Sequence, residues 1–84
     1  MILKIFCLYD SKVEAYLQPF FMRARGEAFR AMADLTSDPN TNVSKNPADF
    51  TLFELGTYDD SNARFDLHLT PISLGVALEF VKTP

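Results

Sequence analysis

The sequence holds one cysteine, one histidine, three glycines and no tryptophan. A lone cysteine, Cys7, excludes an internal disulfide and with it a small secreted scaffold held by cross-links. One cysteine and one histidine fall short of the four ligands of a structural zinc site, and no cofactor is expected. No apolar run approaches 18 residues, so no membrane-spanning helix is expected. Internal repeats and low-complexity segments are absent. Gly26 is not followed by the Lys-Ser/Thr of a phosphate-binding loop, which excludes that way of cradling a nucleoside triphosphate. The apolar start MILKIFCLYD has neither a cleavage site nor a long hydrophobic region. It is expected to be a first strand, not a signal peptide. These features point to a reducing cytoplasm and to a buried, inert Cys7.

What is present is apolar and aromatic. Hydrophobic residues make up 48% of the 84 positions and charged residues 23%, which argues against disorder and for one domain spanning 1–84. Eight phenylalanines and three tyrosines can fill a small core, or leave rings over for a partner. The net charge of −3 argues against bulk electrostatic binding of nucleic acid. Its distribution is uneven, with the basic residues concentrated in the first 33 positions and the acidic ones after them.

Periodicity predicts a small α+β domain: an antiparallel sheet of about four strands and one main helix over about 26–37. Ile2–Tyr9 reads as a strand with apolar residues on both faces, hence a central strand covered twice, by the fold or by a second subunit. Asp10–Gln18 reads as a connection with helical character, capped by Asp10 or Ser11. Phe20–Ala24 alternates as a second strand, antiparallel to the first. From Gly26 to Ser37, Ala28, Phe29, Met32, Leu35 and Thr36 share one helical face, and Glu27, with an expected pair to Arg30, shares the other. Pro39–Phe50 reads as a loop with one helical turn at 47–50. Thr51–Tyr58 and Ala63–Leu69 form a hairpin closed by Asp59–Asn62. The tail over 70–84 fits a fifth strand or a short helix, and its Leu, Ala and Glu content favours the helix.

Aromatic rings and positive charges interleave in one stretch, PFFMRARGEAFRAMAD, Pro19–Asp34. Arg23, Arg25 and Arg30, with Lys12 nearby, are candidates for contacts to phosphates. Tyr16, Phe20 and Phe21 are candidates for stacking on unpaired bases. Against this stands a plain alternative: the rings are core and the arginines a solvated face. Glu27 at the helix start also competes with an anion there.

Other chemistry is weaker. Asp59, Asp60 and Asn62 do not have the spacing of a calcium-binding loop and read as a solvated turn. His68 falls on a polar strand face near Asp66, with no nucleophile placed beside it, and is expected to be exposed and non-catalytic. Tyr9, Tyr16 and Tyr58 have no histidine cluster of the kind that accompanies a DNA-nicking tyrosine. The protein is therefore not expected to be an enzyme.

The strings IFCLYDSKVEAYLQPFF, RGEAFRAMAD, DFTLFELGTYDD and TPISLGVALEFV, in this order, run through nearly the whole chain. In them the sequence resembles the small nonstructural protein of gokushovirus-type microviruses, phages with single-stranded DNA genomes. The resemblance implies a non-enzymatic, noncapsid accessory protein of viral DNA replication in the host cell cytoplasm, contacting single-stranded DNA. The acidic net charge departs from what a non-specific coating protein needs. A second expectation is a protein-interaction module that meets the replication initiator, the capsid precursor or a host factor through an acidic hairpin of Glu54, Asp59, Asp60 and Asp66. A homodimer or higher homo-oligomer is compatible with both.

Overall fold

Alternating apolar residues in three long segments dictate a sheet, and the computed structural model, which describes residues 1–81, shows how it assembles. Strand β1 (Ile2–Asp10) is followed by two short strands, β2 (Ala15–Tyr16) and β3 (Phe20–Met22). Helix α1 (Arg25–Ser37) comes next, then a single helical turn, α2 (Asn42–Lys45), and a 3-10 turn over Pro47–Asp49. Strands β4 (Phe50–Asp59) and β5 (Arg64–Val76) complete the sheet, and a 3-10 turn over Ala77–Phe80 closes the described chain. All pairings are antiparallel, in the order β2-β1-β4-β5, with β3 also on β1. The α+β class and the antiparallel sheet with one main helix are as the sequence predicts.

One sheet face carries the helix. Phe6 and Leu8 of β1 and Phe50 and Leu52 of β4 meet Ala28 and Met32 of α1 in a single buried cluster. Full burial of side chains such as Leu52 and Met32 contributes roughly 1.5–3 kcal/mol each. The predicted helical face is the one buried, with Ala28, Met32 and Thr36 inside. Ala24 at the N-cap offers no side-chain oxygen. Glu27 instead reaches back past the helix start, accepting the Arg23 backbone N–H at 3.2 Å and its Nε at 3.3 Å. The expected partner of Glu27 was Arg30; Arg23 holds the carboxylate instead, with its backbone N–H and its side chain together.

Two expectations are corrected, and the open alternative for the tail is decided. Asp10–Gln18 is not helical. Glu14 has φ +57°, which breaks any helix, and Tyr16 turns back to pair with Tyr9. Asp10 accepts the Lys12 N–H at 3.0 Å, which makes a turn and not a cap. The 39–50 loop carries a turn of helix at Asn42–Lys45, capped by Thr41, in addition to the one near Pro47. The tail continues β5 as strand to Val76 and only then makes its 3-10 turn. Pairing with β4 overrides the helical content of the tail, and Pro71 is tolerated because β5 is an edge strand. Phe80 stacks on Phe29, ring centroids 5.5 Å apart, and its carbonyl accepts the Thr36 hydroxyl at 3.3 Å. Residues 82–84 of the predicted tail lie outside the described residues.

The opposite sheet face carries no helix. Ile5 and Cys7 point there and are still buried, with Phe21 across from Ile5 and Phe53 across from Cys7. The central strand is thus covered on its second face by its neighbours' larger side chains. Burial raises the Cys7 thiol pKa. Cys7 should therefore react with a disulfide reagent only when the protein opens, so labelling should be slow in buffer and fast in urea. Rapid, complete labelling of the folded protein would contradict this burial.

Candidate nucleic-acid interface

The register divides the predicted contact residues between two faces. Phe20 pairs with Phe6 and stacks on it at 5.8 Å, on the helix side, half-buried against the core. Arg25 opens α1 and turns to the same side. Its Nε donates to Glu54 Oε1 at 2.7 Å and its Nη2 to Oε2 at 3.2 Å. Arg30 stands exposed on the outer face of α1, and Lys12 lies in the exposed turn before β2. Neither has an ion pair among the described residues. Arg23 is exposed and shares Glu27.

Tyr16 and Phe21 project on the helix-free face, each inside an aromatic triplet. Tyr16 lies 4.7 Å from Tyr9 and 5.6 Å from Phe53, centroid to centroid. Phe21 lies 5.6 Å from Tyr58, which lies 4.8 Å from Phe65. These are favourable tilted and edge-on separations. Leu3, Phe21, Tyr58, Ala63 and Phe65 line a shallow apolar depression. The register puts Leu3, Ile5, Cys7 and Tyr9 of β1 on this face, with Phe53 and Tyr58 of β4 and Phe65 and Leu67 of β5. None of these positions carries a charge. Basic residues border the triplets in sequence: Lys12 before Tyr16, Arg23 after Phe21 and Arg64 before Phe65. The stretch 19–34 therefore does not form one surface. Sequence reading missed Tyr58 and Phe65 as companions of Phe21; the signal was their alternation, visible once paired strands share a face.

The helix side holds an unforeseen cluster. Glu54 is only 3% exposed. It takes both Arg25 nitrogens, and His68 Nε2 lies 2.7 Å from its Oε2. The Arg25 guanidinium is the chief cause that lowers the Glu54 pKa from 4.5 to about 2, against the opposing effect of burial. Hydrogen bonding to His68 and the charge of Lys4 act in the same direction as Arg25. The expected neighbour of His68 was Asp66, but the strand register brings Glu54 to it. Four residues of β5, 68–71, lie opposite the single Leu55 of β4, a bulge that re-aims the side chains there. The sequence signal was Glu54 on the same alternation as buried Leu52: a carboxylate facing a core needs a partner.

The acidic hairpin is likewise largely engaged from within. Glu54 is buried, Asp59 accepts the Ser61 hydroxyl at 2.6 Å, and Asp60 holds the Met1 ammonium at 2.6 Å. The contacts to Asp59 lower its pKa, with the Ser61 hydroxyl bond as the largest cause. Asp59 and Asp60 thus serve the turn and the chain start, which leaves Asp66 as the freest carboxylate of the four. Among the described residues, no helix is long and apolar enough to cross a membrane, and no group of three potential metal ligands gathers.

Comparison with known proteins agrees with a viral origin. A search of curated proteins returned no match, and a search of solved structures returned none. The family model described as Phage ORF5 protein matches residues 3–80, nearly the entire sequence, and the chain belongs to that phage family.

Proposed function

We propose that this phage protein is a non-enzymatic accessory factor of a gokushovirus-type microvirus, working in the host cytoplasm during viral DNA synthesis. In this reading it holds single-stranded DNA on the helix-free face of its sheet. The observation that supports it is the pair of aromatic triplets on a face whose paired positions bear no charge. Stacking is worth roughly 1–3 kcal/mol per base and needs no sequence preference. Glu54 is buried on the helix side, and Asp59 and Asp60 are held by Ser61 and the Met1 ammonium, so the net charge of −3 does not forbid approach there. Lys12 and Arg23 would meet phosphates at the border, while Arg64 alternates to the other face of β5. Arg25, bound to Glu54, is a structural residue in this reading, and Arg30 lies on the helix side.

Fluorescence anisotropy with a labelled oligothymidylate at low and moderate salt tests this. Tyr16→Ala and Phe65→Ala, both at exposed rings, should each weaken binding by about 5- to 150-fold. Binding should also weaken as salt rises, as phosphate contacts require. No binding at low salt, or binding indifferent to both ring removals, would reject the reading.

A further inference from the structure

We infer that the outer edge of β5 is a self-pairing interface, and that a second copy of this chain adds its own β5 antiparallel to it. Strand β5 ends the sheet, and no described strand pairs with its outer side. Proteins commonly blunt such edges with proline, bulges or charged side chains. Here Pro71 protects one half of the strand. The bulge takes residues 68–71 out of register with β4, but β5 stays strand from Arg64 to Val76, and before Pro71 its outer edge carries no proline and only the oppositely charged Arg64 and Asp66. Its apolar residues are open: Phe65 is 60% exposed, Leu67 61% and Leu69 102%.

The sequence of this edge matches its own inverted copy. Phe65, Leu67 and Leu69 alternate with Arg64, Asp66 and His68. An antiparallel pair with its two-fold axis at Leu67 sets Leu67 against Leu67 and Phe65 against Leu69 of the second copy. On the other face it sets Asp66 against His68 of the second copy, a carboxylate opposite an imidazole. It uses the strand from Arg64 to Thr70 and stops before Pro71. A register centred on Asp66 would oppose two carboxylates, which is unfavourable. Cross-strand apolar and opposite-charge pairs favour the Leu67-centred register. The interface is isologous, so it closes at two copies and does not grow into a fibre.

One consequence bears on the reading above without resting on it. A two-fold axis normal to the sheet leaves both helix-free faces on the same side. The Phe21–Tyr58–Phe65 triplets of the two copies then lie next to each other along one continuous sheet.

Sedimentation equilibrium over a wide concentration range, without DNA, tests the inference. The expected result is a monomer–dimer equilibrium that Leu67→Lys weakens roughly tenfold or more, with an unchanged circular dichroism spectrum. Two lysines would then meet on the axis. Because Leu67→Lys can fail to fold, a second variant is needed: Leu67→Cys in a Cys7→Ala background. Directly opposed strand residues have Cβ atoms close enough for a disulfide, so mild oxidation should yield a covalent dimer. A monomer at every concentration would overturn the inference, including the case in which another protein pairs this edge. A dimer that survives Leu67→Lys and does not cross-link through Leu67→Cys would also overturn it. DNA binding by a strict monomer would overturn the dimer while leaving the proposed DNA contact standing.

Discussion

Lowering the pH from about 4.5 to about 2 should remove about 3 kcal/mol of stability through Glu54 alone. Above 4.5 the carboxylate is ionised in both folded and unfolded chains, and its native pairing contributes in full. Between 4.5 and about 2 the unfolded chain takes up a proton that the folded one refuses, so stability falls with pH. Below about 2 the contribution is gone. The loss is large beside the roughly 4–13 kcal/mol expected for a domain of this size. Urea unfolding at pH 7, 4.5, 3 and 2 measures it. Glu54→Gln removes the titrating group and should flatten most of this slope, leaving a smaller part from other carboxylates such as the half-buried Asp59. Equal losses in the wild type and Glu54→Gln would show that Glu54 is not the acid-sensitive group.

Arg25→Ala should act on the same curve in the other direction. It deletes the largest stabiliser of the Glu54 charge while burial goes on penalising that charge. The folded-state pKa of Glu54 then rises, and the loss of stability starts at a higher pH. Arg25 is half exposed but Glu54 is buried, and stripping the partner from a buried charge is worse than replacing that charge with an uncharged group. Arg25→Ala should therefore destabilise the protein at neutral pH more than Glu54→Leu does. This separates a structural Arg25 from one that serves phosphate, since a phosphate contact would leave the unliganded stability unchanged.

Gly56→Ala should be the most damaging small substitution in the sheet, at roughly 2–5 kcal/mol. Gly56 has φ +154°, a region side chains rarely enter, and a Cβ there would stand 2.2 Å from the Asp66 carbonyl oxygen and 2.7 Å from Leu67 Cα. Both are backbone atoms of β5, so no rotamer change relieves the clash. The strands would have to part beside the bulge, where Gly56 pairs with Leu67. Gly26→Ala is the natural control. A Cβ at Gly26 would meet nothing within 4 Å, and the residue sits in the first turn of α1. Restricting the unfolded chain there should be neutral or stabilise by up to about 1 kcal/mol. Thermal unfolding of the two variants would show a marked fall in Tm for Gly56→Ala alone. A tolerated Gly56→Ala would mean that β4 and β5 are not this close.

Which features were legible follows from the range of the interactions behind them. β1, the 50–59 and 64–69 strands and α1 could be read because each is written in a period of two or of 3–4 residues within one segment. Ala28 and Met32 were visible as core in the same way. The tail stayed open between strand and helix because Leu, Ala and Glu favour helix locally, whereas β4 supplies strand pairing from some 20 residues away; the strand runs to Val76 and only Ala77–Phe80 turns helical. Asp10–Gln18 was misjudged because its apolar residues sit at helical spacing but find no core: Val13, Tyr16 and Leu17 all remain exposed.

The candidate site was legible only in its residue types. By itself the sequence determined that rings and arginines crowd into 16–30, that no disulfide or structural zinc site is available, and that an α+β sheet forms. Tertiary structure alone decided which of the two alternating faces meets the helix, so that Phe20 packs on the core and Phe21 on the helix-free side. It also decided that Arg25 meets Glu54 29 residues away and that His68 joins them. Strand pairing, and the bulges that shift it, determine which distant residues share a face. Those choices depend on all the strands at once, so no single segment of the sequence records them.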